Sequence, residues 1–237
     1  VSEGPDKDFT LRSKRMSPWF VNIGDFNDGQ SIEELGKYYA RALLHFSAET
    51  RKTFHTLYGI PEKGNALAVA TAIGMAHAGV NVPWFFTRKV AKEYGEASNL
   101  TPAEKIKALV VGRVPKEGQA IAQVDDVFTA GDTKYQAREL LLSMGKFELP
   151  VLAIAVDRQE VEIDGKSAIE EYESKTNTQV TSVINATDVY TILREQKIIP
   201  PERLERLANY LRVYGTSAIR KEVGRLEQKI IERDKSV

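Results

Sequence analysis

The sequence predicts an α/β protein with a mainly parallel central sheet flanked by helices. Three observations carry that expectation. Strand-like and helix-like patterns alternate along most of the chain, as they do where parallel strands are joined by crossover helices. Residues 149–156 form a nearly continuous apolar run, the mark of a strand covered on both faces. Residues 121–124 form a short apolar run that ends in two adjacent carboxylates, Asp125 and Asp126. The loop Thr129-Ala130-Gly131-Asp132-Thr133 follows, and then a helical pattern begins.

Each element has its own signal. Residues 31–46 place Ile32, Leu35, Tyr39, Leu43 and Phe46 at helical spacing, with Glu33 and Glu34 in the first turn. Residues 53–58 read as a strand ending in Gly59-Ile60-Pro61-Glu62-Lys63-Gly64. Residues 66–78 are small and apolar, as in a helix buried on much of its surface, and 81–86 read as a strand. Residues 88–112 are a long insertion, charged at first and then carrying a helix-start pattern at Thr101. Such insertions usually act as lids or binding loops. Strand 121–124, helix 133–144, strand 149–156, helix 167–175, strand 180–184 and helix 188–196 follow. The tail from Pro200 divides into two helices broken near Gly215. The second puts Ile219, Val223, Leu226 and Ile230 on one stripe. Its polar face carries both signs, which favours protein packing over membrane contact.

Composition narrows the function class. At 237 residues the chain fits one α/β domain with additions, or at most two small domains. The formal charge is zero, so nothing in the bulk points to nucleic acid or an anionic membrane. Cysteine is absent, which excludes disulfides and thiolate metal sites and fits a reducing, cytoplasmic setting. The longest apolar run is too short to cross a bilayer, and the first residues lack a signal-peptide pattern. A soluble enzyme-sized protein is expected.

The acid pair and its loop suit a sugar phosphate. Carboxylates accept hydrogen bonds from ribose hydroxyls, and backbone N–H groups at a helix start bind phosphate. The segment alone equally fits an acidic turn in which Thr and Asp cap the next helix. Ligands of such sheets bind beyond the carboxyl ends of the strands, and the acid pair sits at one of those ends.

Six segments, read in order, resemble orotate phosphoribosyltransferase, a type I phosphoribosyltransferase. They are Phe9-Thr-Leu-Arg-Ser-Lys-Arg-Met-Ser-Pro-Trp-Phe20-Val-Asn, then Phe26-Asn-Asp-Gly29, Gly59 to Gly64, Phe86-Thr-Arg-Lys-Val-Ala-Lys-Glu-Tyr94-Gly-Glu, Val124 to Thr133, and Val156-Asp-Arg-Gln-Glu160. The resemblance spans roughly residues 9–215. It implies a phosphoribosyltransferase domain over 1–215, with a hood at 9–30 and a mobile lid at about 88–112. A helical extension would occupy 216–237. It also implies transfer of the phosphoribosyl group of phosphoribosyl diphosphate (PRPP) to orotate in pyrimidine biosynthesis. Magnesium would be carried mainly by the substrate's own oxygens, near Asp125, which with Asp126 could attract it directly or through water. The enzyme would be a homodimer whose lids act in trans.

By the same resemblance, Lys63, Arg88 and Lys89 meet pyrophosphate, and Lys92 reaches the partner's active site. Asp125 and Asp126 meet the ribose. Thr129, Ala130, Gly131, Asp132 and Thr133 cradle the 5′-phosphate. Arg12, Phe20, Thr129 and Arg158 bind orotate, Arg158 through a two-point contact with its carboxylate and Phe20 against its ring. Lys92, Arg88, Asp125 and Asp126 would carry catalysis. For Arg158 a rim ion pair with Asp157 or Glu160 is the plain alternative, and for Phe20 an ordinary core position.

Three residues depart from the family pattern. Glu62 stands where tyrosine is usual, Tyr94 where histidine is usual, and Asp132 where threonine is usual. Thr133 still offers a hydroxyl one position later, so Thr129 and Thr133 are expected on the phosphate with Asp132 turned outward. Glu62, Tyr94 and the long lid also admit a paralogue that acts on another base. A regulator that binds PRPP or a nucleotide without catalysis is the third reading.

Overall fold

The computed structural model describes residues 1–11, 13–88, 104, 108–128, 131–162 and 165–234, with side chains of the last helix described to Leu226. Arg12, Lys89, Lys92, Tyr94, Thr129 and Ala130 lie outside the described residues.

A short hairpin opens the chain, β1 (Phe9–Thr10) against β2 (Met16–Ser17). The helix α1 (Gly29–Thr50) follows. It starts before the predicted residue 31 because the Asp28 carboxylate accepts from the Gln30 and Ser31 backbone N–H groups, completing a capping box. Next come β3 (Thr56–Gly59), α2 (Lys63–His77), β4 (Trp84–Thr87), β5 (Val110–Gly112) and β6 (Ala120–Val127). Then come α3 (Asp132–Met144), β7 (Glu148–Asp157), α4 (Ala168–Thr176), β8 (Gln179–Asn185), α5 (Ala186–Glu195), α6 (Pro201–Tyr214) and α7 (Ser217–Asp234).

The six-stranded sheet has the order β5-β4-β3-β6-β7-β8. All pairings are parallel except β4 with β5. Residues 110–112, placed above in the lid, are therefore an antiparallel edge strand. After β3 the chain steps outward to β4, and it later returns to lay β6 on the other side of β3. The carboxyl ends of β3 and β6 thus flank the point where the winding reverses, the place where open α/β sheets bind ligands.

Alternation along the strands builds two cores, one on each face of the sheet. Leu57, Ala122, Val124, Val151, Ala153 and Ala155 face α1 and α2. Tyr58, Ile121, Leu152 and Ile154 face α3 and α4. That double burial is why 149–156 reads as unbroken apolar sequence. The last helix joins the first core: Ile219 and Val223 are fully buried.

Strand β6 runs further than the predicted 121–124 and takes in both acids. Its register with β7 continues past them, Asp125 beside Ile154 and Val127 beside Val156. Charged residues argue against a strand in a local reading, but Lys63 of α2 and Lys134 of α3 supply partners at its carboxyl end.

Candidate active site

Because Asp125 and Asp126 are consecutive in a strand, their side chains leave on opposite faces. Asp125 goes to the α3 side. One of its oxygens lies 2.7 Å from Lys134 Nζ, and both side chains are less than a tenth exposed. Its other oxygen accepts from the Asp126 backbone N–H at 2.9 Å. The Tyr39 hydroxyl of α1 donates to the Asp125 carbonyl at 2.7 Å. Burial pushes the Asp125 carboxyl above its ordinary value, opposed by the Lys134 ammonium.

Asp126 goes to the α2 side. Its Oδ2 lies 2.7 Å from Lys63 Nζ, and that lysine side chain is 58% exposed. Its Oδ1 accepts from the Val127 backbone N–H at 2.8 Å. Lys63 is not in a loop as expected but is the first residue of α2. The turn before it is tight. A Cβ on Gly59 would come within 2.4 Å of the Gly64 carbonyl oxygen, and one on Gly64 within 2.4 Å of the Val124 carbonyl oxygen. Only glycine lets β3, β6 and the start of α2 approach this closely. The Pro61–Glu62 peptide between them is cis.

A cleft of about 760 Å³ opens over these strand ends. Lys63, both acids, Asp132, Thr133 and Lys134 line it, together with Phe20, Arg15 and Arg158. Carboxylates outnumber cations among its described lining residues. Among the described residues no cluster of three or more His, Asp or Glu side chains could hold a metal ion by itself.

The phosphate-loop end corrects one expectation. The N-cap of α3 is Gly131, at φ +85°, and no side chain caps the helix. Asp132 is instead its first helical residue, exposed at the cleft border. Helix-start N–H groups therefore remain available to an anion.

Phe20 is no core phenylalanine. It is 52% exposed, borders the cleft and lies 5.7 Å from the Phe9 ring. Arg158, just past β7, stacks 4.1 Å above Trp19. Its Nε and Nη2 both donate to Glu160 Oε1, at 2.9 and 2.7 Å, and Nη2 also donates to Ser17 Oγ at 2.9 Å. The other Glu160 oxygen meets Arg15 at 3.4 Å. The ion pair with Glu160 is therefore made, and the Nε–Nη2 edge of the expected two-point contact is taken by the protein's own carboxylate.

Arg88 is not among the cleft-lining residues. Its guanidinium donates to the Ala108 and Val110 carbonyls at 3.1 and 3.3 Å, which ties β4 to the segment entering β5. Three participants went unnoticed in the sequence: Lys134, Trp19 and Arg15. Lys134 carried a signal. It shares the buried stripe of α3 with Ala137, Leu141 and Met144, and a lysine on an apolar stripe needs a buried partner.

With this geometry in view, comparison with known proteins is decisive. No protein-family model matches the chain. An orotate phosphoribosyltransferase of Vibrio cholerae is 38% identical over 209 residues, covering 88% of this chain and 90% of the relative. This chain belongs to the orotate phosphoribosyltransferase family. An orotate phosphoribosyltransferase of Polynucleobacter asymbioticus is 36% identical over 86% of this chain and 84% of its own length. The crystal structure of the Francisella tularensis orotate phosphoribosyltransferase superposes with a TM-score of 0.69 at 25% identity, covering 88% and 92% of the two chains. A Mycobacterium tuberculosis orotate phosphoribosyltransferase solved with PRPP shares the fold, with a TM-score of 0.52 at 20% identity over 77% and 89% of the two chains. The mainly parallel six-stranded sheet flanked by helices is that family's type I phosphoribosyltransferase fold.

Proposed function

We propose that the chain transfers the phosphoribosyl group of PRPP to orotate. The C1–oxygen bond to pyrophosphate breaks, a C1–nitrogen bond to the base forms, and the products are orotidine 5′-monophosphate and pyrophosphate. The observation that carries this is the acid pair at the winding reversal, with Lys63 beside it and Phe20 and Arg158 lining the same cleft. Positive charge develops on the ribose as pyrophosphate leaves, and fixed carboxylates lower the energy of that state. Lys63 offers its ammonium to the leaving pyrophosphate. Gly131, Asp132 and Thr133 present the helix start to the 5′-phosphate. Phe20 covers the base, and Arg158 holds its acidic side.

An acidic cleft needs added positive charge before it takes a polyanion. Magnesium fits as an ion carried on PRPP oxygens and water, in keeping with its preference for phosphate ligands. It would neutralise pyrophosphate charge. Lys89 and Lys92 of the lid supply the rest, Lys92 from the partner of a cytoplasmic homodimer. The phosphoribosyltransferase domain is read as 1–215, with the hood at 9–30 and the helical extension at 216–237.

The test follows orotate absorbance with PRPP and magnesium. Orotate consumption that requires both is expected; PRPP binding without it rejects the assignment of the base. Lys92→Ala should depress turnover far more than PRPP binding. The Arg158–Glu160 pair favours one second reading, a paralogue using a base without a carboxylate, and a screen of bases separates the two.

A further inference from the structure

The two lysines at the acid pair differ in kind. Lys63 is 58% exposed at a helix start, so its ammonium can turn from Asp126 to an incoming anion at little cost. Lys134 is 5% exposed on the buried stripe of α3, and turning its ammonium away from Asp125 would strand a buried carboxylate. Asp125 is held further by the Asp126 N–H on its carboxylate and the Tyr39 hydroxyl on its carbonyl. We propose that Lys134 is a positioning residue for the transfer reaction, holding Asp125 as an anion beneath the ribose at neutral pH while Lys63 serves Asp126 as an exchangeable counter-ion.

This deepens the reading under Proposed function and rests on it. A neutral ribose gains little from a fixed anion before reaction. The cationic ribose formed as pyrophosphate departs gains much more, so the benefit of Lys134 falls on the chemical step. Without the ammonium, Asp125 sits buried beside Asp126 and Tyr58, and burial drives it toward its neutral form. Lys63 has the opposite profile, because its exchange onto pyrophosphate is realised on binding.

The experiment compares Lys134→Gln, Lys134→Arg and Lys63→Gln. Magnesium–PRPP affinity is measured by calorimetry, turnover with orotate, and folding by thermal melting. Lys134→Gln keeps an N–H donor and loses the charge. It should lower kcat at least tenfold while the PRPP Kd moves less than threefold. Lys134→Arg should restore most of kcat, and Lys63→Gln should weaken PRPP binding instead. The proposal is overturned if Lys134→Gln lowers only the melting temperature, if it weakens PRPP binding as much as turnover, or if Lys134→Arg is no better than Lys134→Gln. Should Lys134→Gln not fold, a Lys134→Arg enzyme with the poor kcat of a lost anion would overturn it equally. If the wild-type chain turns over another base and not orotate, the base assignment falls and the same split is read with that base. If it turns over none, both readings fall.

Discussion

Asp125 and Asp126 are adjacent in sequence and opposite in circumstance. Both border the cleft, but one carboxylate is nearly buried against a buried lysine and the other meets a lysine that is mostly in water. The period of a strand makes the difference, since consecutive side chains must leave on opposite faces. Two identical residues are thereby given two settings at one cleft, one with a buried counter-ion and one with a counter-ion that can leave.

The comparison is broken or sharpened by substitution. Asp125→Asn strands the Lys134 charge inside the protein, and the expected loss of stability is about 3–5 kcal/mol, read by urea unfolding. A loss below about 1 kcal/mol would mean the pair is no more than a surface bridge. Asp126→Asn should leave unfolding nearly unchanged and cut kcat about a hundredfold, or roughly 2.7 kcal/mol, as expected for a group aimed at transition-state charge. Arg158→Gln should raise the orotate KM by the worth of a charged hydrogen bond, about 1.5–3 kcal/mol, with PRPP affinity unmoved. Equal losses for both substrates would place Arg158 in hood packing alone. Lys63→Met, at an exposed pair, should change stability by less than about 1 kcal/mol.

The smallest expected effect is in pH dependence. Asp125 holds its proton more tightly folded than unfolded, because burial raises its folded value above the ordinary 3.8. In the window between those two values the native state binds more protons than the unfolded state. Its contribution to stability therefore falls as pH rises through that window and is most favourable below 3.8. Asp157 is shifted the same way by burial. Relative to wild type, Asp125→Asn should show a shallower decline over the same range; a steeper one would contradict the assigned direction.

The same contrast marks how much could be read from the sequence. Periodicity found most helices and the parallel strands along the chain because those patterns are local, and the unbroken apolar run at 149–156 is a direct record of two buried faces. It stopped β6 at Val124, since two acids oppose a strand unless remote groups neutralise them. Those groups come from α2 and α3. The hood shows the same limit. Phe20, Arg158 and its neighbour Glu160 were legible locally, whereas the Ser17 and Trp19 contacts that hold Arg158 join segments about 140 residues apart.

The sequence by itself determined the α/β class, the family and the residue types needed for a phosphoribosyl group, because each is written in local order and spacing. Only the tertiary structure decided which acid has a buried counter-ion and which an exposed one, that Gly131 rather than Asp132 stands at the helix cap, and that Ser17 and Trp19 hold Arg158. Those outcomes depend on burial and on charges brought together from distant parts of the chain. Neither is a property of any segment alone.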